Sequence, residues 1–264
     1  MSSAYLLVSH GSRDPRPEYA MEQLAKLISQ SQASVEIADW KKTVNKSGLR
    51  NTLNAIELAA PLLEMLVGTA YLELSAEPLH KQIKQFADRA QASGYNSIQI
   101  VPLFLLPGVH VMEDIPAQVA IAQQALGQIK VNLRPHLGTH ERLSHLLANS
   151  MAGKEADTWI LLAHGSRRPG AKQSVEAIAA QLNAVAAYWA VSPKLESRVK
   201  ALVDAGNQQI GIMPYFLFAG GITDAIAVSV EQLKEQFPSV NFYLAEPIGA
   251  SSYLADLIGD LIEK

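Results

Sequence analysis

The sequence predicts an α/β protein of two similar lobes, each built on a parallel sheet with helices on both faces. Two observations support this prediction. Short apolar runs alternate with stretches of helical periodicity along the 264 residues. The pattern is then repeated, because YLLVSHGSRDP at 5–15 returns as WILLAHGSRRP at 159–169. The two copies place the lobes at 1–151 and 158–264, separated by a small polar linker at 152–157.

The elements of the first half follow a regular strand and helix order. A short, continuously apolar run at 4–9 is typical of a strand buried on both faces. The remaining predicted elements are strands at 70–74, 97–105 and 130–134, and helices at 16–31, 78–92, 115–127 and 140–151. The segment 32–68 has no counterpart in the second half, and it is expected to be an insertion: a lid, a dimer contact or inert decoration.

The second half repeats these landmarks. VPLFLLPG at 101–108 corresponds to MPYFLFAG at 213–220, and Gly94 precedes the first of these runs as Gly206 precedes the second. The predicted elements are strands at 158–163, 209–217 and 240–244, and helices at 171–187, 194–205, 224–236 and 250–262. A duplication of one unit explains this order.

Composition narrows the possible classes of protein. The net charge is -3, which argues against a general nucleic-acid binder. The sequence has no cysteine, so thiolate catalysis, disulfides and cysteine-ligated iron–sulfur clusters are excluded for this chain. We find neither a signal-peptide pattern nor an apolar run long enough for a membrane span. We therefore expect a cytoplasmic protein without nucleic-acid or membrane partners.

Three residues with metal-binding or proton-transfer capacity follow three predicted strands. His10 follows the first strand, Glu73 lies near the end of the second, and His110 lies just past the third. Ligands of open parallel sheets bind outside the carboxyl ends of the strands. Two imidazoles and a carboxylate suit a divalent first-row metal ion, and they also suit proton abstraction.

The second half retains one of these groups. His10 corresponds to His164, whereas Glu73 aligns with about Ala190 and His110 with Ile222. The sequence therefore predicts one complete site, in the N-terminal lobe, with the C-terminal lobe as a scaffold that closes over it. A function for His164 stays open.

Each of these residues also has a simpler interpretation. His10 and His164 could cap nearby backbone, Glu73 could face water from an edge strand, and His110 could lie in a surface loop. Asp114 is interpreted as a helix N-cap. The other histidines are predicted to be surface residues: His80, His136, His140 and His145.

Arginines near the strand ends predict a locally basic rim. Arg13 and Arg16 come from the first copy of the repeat, and Arg167 and Arg168 from the second. Guanidinium groups pair well with carboxylates. Ser12 and Arg13 are the expected substrate-binding residues, with Ser12 able to bond a carboxylate.

These motifs resemble those of the sirohydrochlorin chelatases, the class II chelatases of siroheme and cobalamin synthesis. The resemblance covers nearly the whole chain and rests on HGSR at 10–13, YLELSAEP at 71–78 and VPLFLLPGVHVMEDIP at 101–116. It implies two flavodoxin-like lobes facing a central cleft, with the catalytic residues in one lobe. The segment 32–68 departs from the family, because it lengthens the gap between the first histidine and the glutamate.

The resemblance also implies an activity: insertion of Fe²⁺ or Co²⁺ into sirohydrochlorin, an apolar macrocycle fringed with carboxylates. His10 and His110 then correspond to the paired histidines and Glu73 to their acidic partner, both for metal binding and for catalysis. No permanently bound cofactor is expected, since the divalent metal ion is a substrate. The apolar residues expected to line the cleft are Phe104, Leu105, Leu106, Phe216, Leu217 and Phe218.

Other interpretations remain open at this point. A carrier that binds tetrapyrrole or metal without catalysis would use the same residues. A phosphohistidine enzyme is disfavoured, because such enzymes carry an arginine directly before the histidine and Ser9 precedes His10 here. The residues do not distinguish Fe²⁺ from Co²⁺ or Ni²⁺. A monomer is expected, because two lobes already supply both walls of a cleft, although a dimer is compatible with the sequence.

Overall fold

In the computed structural model, the described residues are 3–30, 65–168 and 170–263. Eight strands in these ranges form two parallel sheets of four strands each. The expected α/β fold of two duplicated lobes is therefore confirmed. The expected insertion at 32–68 lies outside the described residues except for its last four positions. No described helix combines the length and the apolar character that a membrane span needs.

The described residues of the first lobe form four strands and four helices, with a π-helical turn at His110–Asp114 and a 3-10 turn at Leu137–Thr139. Its strands are β1 (Ser3–Ser9), β2 (Val67–Tyr71), β3 (Ser97–Pro102) and β4 (Lys130–Leu133). Its helices are α1 (15–30), α2 (Leu79–Ala92), α3 (Ile115–Ala125) and α4 (Leu143–Met151).

The second lobe repeats this arrangement along the chain. Its strands are β5 (Thr158–Ala163), β6 (Ala184–Tyr188), β7 (Gln209–Pro214) and β8 (Asn241–Leu244). Its helices are α5 (Ala171–Gln181), α6 (Leu195–Asp204), α7 (Gly221–Gln236) and α8 (Ser252–Glu263).

The two sheets share strand order as well as strand number. The order is β2-β1-β3-β4 in the first and β6-β5-β7-β8 in the second. The register also matches, because Val8 pairs with Pro102 as Leu162 pairs with Pro214 in the second lobe. The central strands of both sheets are buried on both faces, which explains why they read as continuous apolar runs.

The last helix of the chain packs against the first lobe. Leu254 and Ile258 of α8 lie in one buried cluster with Leu7 of β1 and with Met21 and Leu24 of α1. Arg134 binds the end of α8, since its guanidinium donates hydrogen bonds to the backbone carbonyls of residues 261 and 262 at 2.8 and 3.1 Å. The C-terminal helix therefore completes the core of the N-terminal lobe.

The last helix of the first half packs against the core of the second lobe. Leu143 and Leu147 of α4 lie in a cluster with Trp159 and Leu161 of β5 and with Val175 of α5. The linker at 152–157 thus separates the two sheets, but the cores on either side of it exchange one helix each. This exchange holds the two lobes together through buried apolar contacts, which are the main favourable term in folding.

One strand is missing from the sequence prediction. A helix is predicted over 171–187, but α5 ends at Gln181 and β6 follows at Ala184–Tyr188. The run AVAAY is rich in alanine, which favours helices. Its pairing with β5 as a parallel strand overrides this local preference. Asn183 adopts a left-handed conformation with φ of +50°, a common way to end a helix.

The helix exchange predicts a long-range effect of a substitution near the C-terminus. Ile258 is fully buried against the first lobe, so Ile258→Ala should lower the free energy of unfolding by about 2–5 kcal/mol. Hydrogen exchange should then lose protection in β1 and α1. Ile226→Ala is the matched control, because Ile226 is equally buried in a cluster confined to the second lobe. Loss of protection in β5 and α5 alone after Ile258→Ala would contradict the exchange.

Candidate functional site

The three candidate donor residues lie together at the carboxyl edge of the first sheet. His10 follows β1, Glu73 follows β2, and His110 begins the π-helical turn before α3. One donor atom from each side chain lies within 4.8 Å of the others. The two imidazole rings meet edge to face, with their centroids 4.8 Å apart. Because neighbouring parallel strands end at one edge, three distant segments of sequence converge there.

Glu73 lies after its strand and not inside it. The sequence predicts a strand at 70–74, which is wrong, since β2 ends at Tyr71. The ladder continues for two more hydrogen bonds, from the Leu72 N–H to the Ser9 carbonyl and from the Glu73 N–H to the His10 carbonyl, each 2.9 Å. The second bond fixes the backbone of Glu73 to that of His10.

Gly11 allows the turn after β1 to close against Glu73. Its φ is +98°, a conformation that favours glycine. A Cβ at this position would overlap the backbone carbonyl oxygen of Glu73. The glycine of the HGSR motif is thus needed for the close approach of two turns that carry donor side chains.

The hydroxyl of Ser12 stabilises the same turn. Its Oγ accepts a hydrogen bond from the Asp14 N–H at 3.0 Å. The second lobe repeats this bond, because Ser166 Oγ accepts from the Arg168 N–H at 3.2 Å. The serine of the motif therefore has a local structural role in both lobes.

Asp114 is the hydrogen-bond partner of His110. Its Oδ2 lies 2.7 Å from the Nδ1 of that ring. Asp114 directly precedes α3 and Pro116 lies in the first turn, as predicted, but the Asp114 backbone is already helical and its side chain makes no capping hydrogen bond. The π-helical turn places the two side chains four positions apart on one face. A carboxylate oxygen accepts, so Nδ1 donates, and Nε2 is left as the ring atom that can bind a ligand.

The donor set is open and accessible. The side chains of His10 and Glu73 are about half exposed and that of His110 is one-third exposed. His10 Nε2 and Glu73 Oε2 are 3.8 Å apart, which is too long for a hydrogen bond. Two ligands of one metal ion lie at most about 4.4 Å apart when each bond is about 2.2 Å. Small side-chain rotations would therefore bring all three donors onto one ion.

A cavity of about 680 Å³ lies beside these donors, between the two lobes. Its volume is within the range of about 300–1,000 Å³ that is usual for small-molecule sites. The first lobe contributes His10 and Ser12, and the second contributes His164 and the segment 216–218. The expectation that Phe216, Leu217 and Phe218 line the cleft is confirmed.

The corresponding apolar segment of the first lobe lies outside this lining. The ring of Phe104 packs near the two candidate imidazoles, with centroids 6.5 Å from His10 and 6.2 Å from His110. Leu105 and Leu106 pack against the buried clusters of the lobes. These three residues are thus not part of the lining of this cavity, although Phe104 lies beside the donor cluster.

Two of the four rim arginines form ion pairs between the lobes. The guanidinium of Arg16 donates to Asp224 Oδ2 at 2.6 Å, and it also pairs with Asp14 on its own turn. Arg168 lies 3.6 Å from a carboxylate oxygen of Glu113 across the cleft. Among the described residues, Arg13 and Arg167 are exposed and have no carboxylate within ion-pair distance.

The Arg16 pairs lower the pKa of two carboxyl groups. Hydrogen bonding to the Arg16 guanidinium lowers the pKa of Asp14 from its ordinary value of 3.8 to about 2. The same guanidinium lowers the pKa of Asp224. Both acids should therefore stay ionised to a lower pH than ordinary aspartates.

The prediction of four surface histidines is wrong for two of them. His136 is buried, with its Nδ1 2.9 Å from the Phe104 carbonyl oxygen. His140 is also buried, and its Nε2 lies 3.5 Å from Asp260 of α8. His145 is exposed as expected. His80 is half-buried and bonds the side chain of Gln118 at 2.8 Å. The contact of His140 is with α8, one of the two exchanged helices, and sequence periodicity does not indicate that contact.

The second lobe has the same backbone arrangement without the full donor set. The Ala190 N–H donates to the His164 carbonyl at 2.8 Å, as the Glu73 N–H does to His10. The alignment of Glu73 with Ala190 is therefore confirmed. His164 is exposed to the cavity, but an alanine replaces the carboxylate at the adjacent turn.

Comparison with known proteins identifies relatives along most of the chain. A family model described as CbiX matches residues 50–153 and 158–264. A sirohydrochlorin ferrochelatase of Priestia megaterium is 27% identical over 206 residues, covering 73% of this chain and 75% of the relative. A sirohydrochlorin cobaltochelatase of the same organism is 23% identical over 275 residues, covering 98% and 78% of the two chains.

The solved structure of SirB from Bacillus subtilis with Fe³⁺ has the same fold. The TM-score is 0.71 at 22% sequence identity, and the superposition covers 100% of this chain and 95% of the other. Both relatives and structure agree with the resemblance seen in the sequence motifs.

Removal of the Asp114 carboxylate should weaken metal binding through His110. Asp114→Ala should reduce the affinity for Co²⁺ alone about 10- to 100-fold, measured by calorimetry, because His110 loses the acceptor that fixes its tautomer. Nitrogen NMR shifts should show the Nε2–H tautomer of His110 rising. Asp114→Asn should recover part of the affinity, since an amide oxygen still accepts. Asp88→Ala removes an exposed carboxylate from a helical ion pair and should change neither readout.

The Arg16 link predicts the titration of two acids. Carbon NMR of the Asp14 carboxyl should find a midpoint of about 2, with that of Asp224 below its usual range. Their pairing contributes stability above the usual carboxyl pKa, and this contribution is lost as the pH falls through the lowered values. Arg16→Gln should return both midpoints toward 3.8. Unchanged midpoints in that variant would show that Arg16 is not the cause.

Proposed function

Because this chain belongs to the CbiX family, we propose that it is a sirohydrochlorin chelatase, which inserts Fe²⁺ or Co²⁺ into the metal-free macrocycle. One observation carries the proposal: His10, Glu73 and His110 form one donor cluster, and His10 of this cluster lines a cavity formed by both lobes. His10 precedes the residues matched by the family model, so its inclusion rests on these distances.

We assign metal delivery to these three side chains. Neutral imidazole nitrogens of His10 and His110 bind the incoming divalent ion, and the Glu73 carboxylate offsets part of its charge. Three donors without a thiolate leave coordination positions open, so the ion can pass to the macrocycle. A closed cage of four ligands would retain the ion instead.

Proton balance assigns a second role to the histidines. A divalent ion that enters the macrocycle replaces two pyrrole N–H protons. As the four macrocycle nitrogens bind the ion, its bonds to the three protein donors are released. The lone pairs freed on His10 and His110 can then accept one pyrrole proton each and pass it to water, since both side chains reach solvent.

The cleft suits the remaining features of the substrate. We propose that Phe216, Leu217 and Phe218 contact the apolar macrocycle, while Ser12 and Arg13 bind its peripheral carboxylates. The lobe at 1–151 then supplies the chemistry, and the lobe at 158–264 serves as scaffold and as the second cleft wall. The divalent ion is a substrate in this proposal and not a resident cofactor.

Loss of either histidine tests the proposal. His10→Ala and His110→Ala should each slow metal insertion by about 10²-fold or more, because donor and proton acceptor are lost together. The free energy of unfolding should change little, since neither side chain is buried. Anaerobic absorbance of sirohydrochlorin with Fe²⁺ or Co²⁺ measures insertion. His145→Ala, an exposed histidine on α4, is the control.

Each outcome of this assay has a definite meaning. Near-normal insertion by both variants would refute the assignment of the histidines. A wild-type protein that binds the pigment without accelerating insertion is a carrier. For an active protein, the ratio of the Fe²⁺ and Co²⁺ rates ranks the two metals as substrates.

A further inference from the structure

Leu74 has an unusual backbone conformation for its residue type. Its φ is +56°, in the left-handed region that glycine and asparagine tolerate best. Its side chain is also 58% exposed, so an apolar group faces water. The left-handed backbone and the exposure to water are each unfavourable for a leucine. Strained backbone of this kind concentrates at ligand-binding sites.

The duplicated lobe shows that the turn does not require this conformation. The paired hydrogen bonds at Glu73 and Ala190 align Leu74 with Val191. Val191 is partly buried against the core of the second lobe and is absent from the described non-glycine residues with positive φ. The same turn can therefore close with its apolar residue turned inward. The outward leucine occurs in the lobe that carries the metal donors.

The Leu74 side chain borders the cavity between the lobes. Ile222, which is 38% exposed, borders the same cavity from the second lobe. Leu74 directly follows the candidate ligand Glu73. Two exposed aliphatic residues thus line one space, one from each lobe, together with His10 of the candidate metal site.

We propose that Leu74 is a substrate-contact residue that packs on the apolar face of the tetrapyrrole and positions it over the metal donors, with Ile222 contacting it from the second lobe. This inference rests on the proposed chelatase function. The ligand class is a flat, largely apolar macrocycle, because an aliphatic side chain recognises apolar surface and offers nothing to a metal ion or to a carboxylate. Contact with the macrocycle removes from water the surface that Leu74 exposes.

The proposal predicts opposite effects on stability and on binding. Leu74→Asn keeps a similar size, suits the left-handed backbone and removes the apolar contact. Its thermal unfolding midpoint should equal or exceed that of the wild type. Its affinity for metal-free sirohydrochlorin should fall about tenfold, as expected for one lost aliphatic contact. A residue with a purely structural role would lose stability together with binding.

The experiment measures three quantities for each variant. Quenching of pigment fluorescence gives the affinity for metal-free sirohydrochlorin, calorimetry gives the affinity for Co²⁺ alone, and calorimetric scanning gives the unfolding midpoint. Co²⁺ affinity should be unchanged in Leu74→Asn. Leu74→Gly provides a second variant free of backbone strain. Leu133→Asn is the matched control, since Leu133 is an exposed leucine at the end of β4 outside the cavity lining.

The outcomes separate this inference from the proposed function. A wild-type protein that fails to bind the metal-free pigment contradicts the chelatase proposal itself. Wild-type binding with undiminished affinity in both Leu74 variants overturns only the role of Leu74. A lowered unfolding midpoint in both variants also overturns it, because Leu74 is then a structural residue. Weaker pigment binding with retained stability and retained Co²⁺ affinity supports it.

Discussion

The hydrogen bond from the Glu73 N–H to the His10 carbonyl is the interaction on which the site depends. It joins the turns after two neighbouring strands and leaves both side chains free to face the cleft. Gly11 makes the approach sterically feasible, since any Cβ there would overlap the Glu73 carbonyl oxygen. The π-helical turn places His110 at the same edge of the sheet, and the hydrogen bond with Asp114 orients its ring. The donor geometry is thus set mainly by backbone, while the side chains remain solvated.

The exchanged helices fix the relative placement of the walls around these donors. α8 completes the first core and α4 the second, so the lobes cannot separate without exposing buried leucine and isoleucine side chains. The ion pairs of Arg16 and Arg168 lie at the exposed rim, where such pairs contribute little stability. We infer that apolar packing at the back of the cleft sets its geometry. The rim arginines act as weak, solvent-accessible links across its mouth.

Sequence patterns predicted the features that depend on periodicity and repetition. The duplicated HGSR turns, the parallel sheets implied by alternation and the convergence of His10, Glu73 and His110 all follow from apolar runs and chain order. β6 was missed because alanine-rich sequence favours helix until a strand position beside β5 competes for it. The contact between His110 and Asp114 has the i,i+4 spacing of neighbours on a helix face, but it requires the helical turn to begin at His110, before the predicted helix at 115–127. His140 contacts Asp260 on the exchanged helix α8, a long-range contact that local sequence does not indicate.

The duplication separates the structural part of the HGSR motif from its chemical part. Both lobes keep the left-handed glycine, the serine that accepts a backbone N–H, and the hydrogen bond between adjacent turns. These features are therefore requirements of the fold. Glu73 has no equivalent in the second lobe, where the matching turn carries Ala190 and folds its next residue inward. The histidine is shared by both lobes, but a donor becomes a metal site only where a carboxylate and a second imidazole accompany it. The second lobe thus serves as an internal control: it retains the scaffold of the site, and the residues that differ between the lobes are those to which the chemistry is assigned.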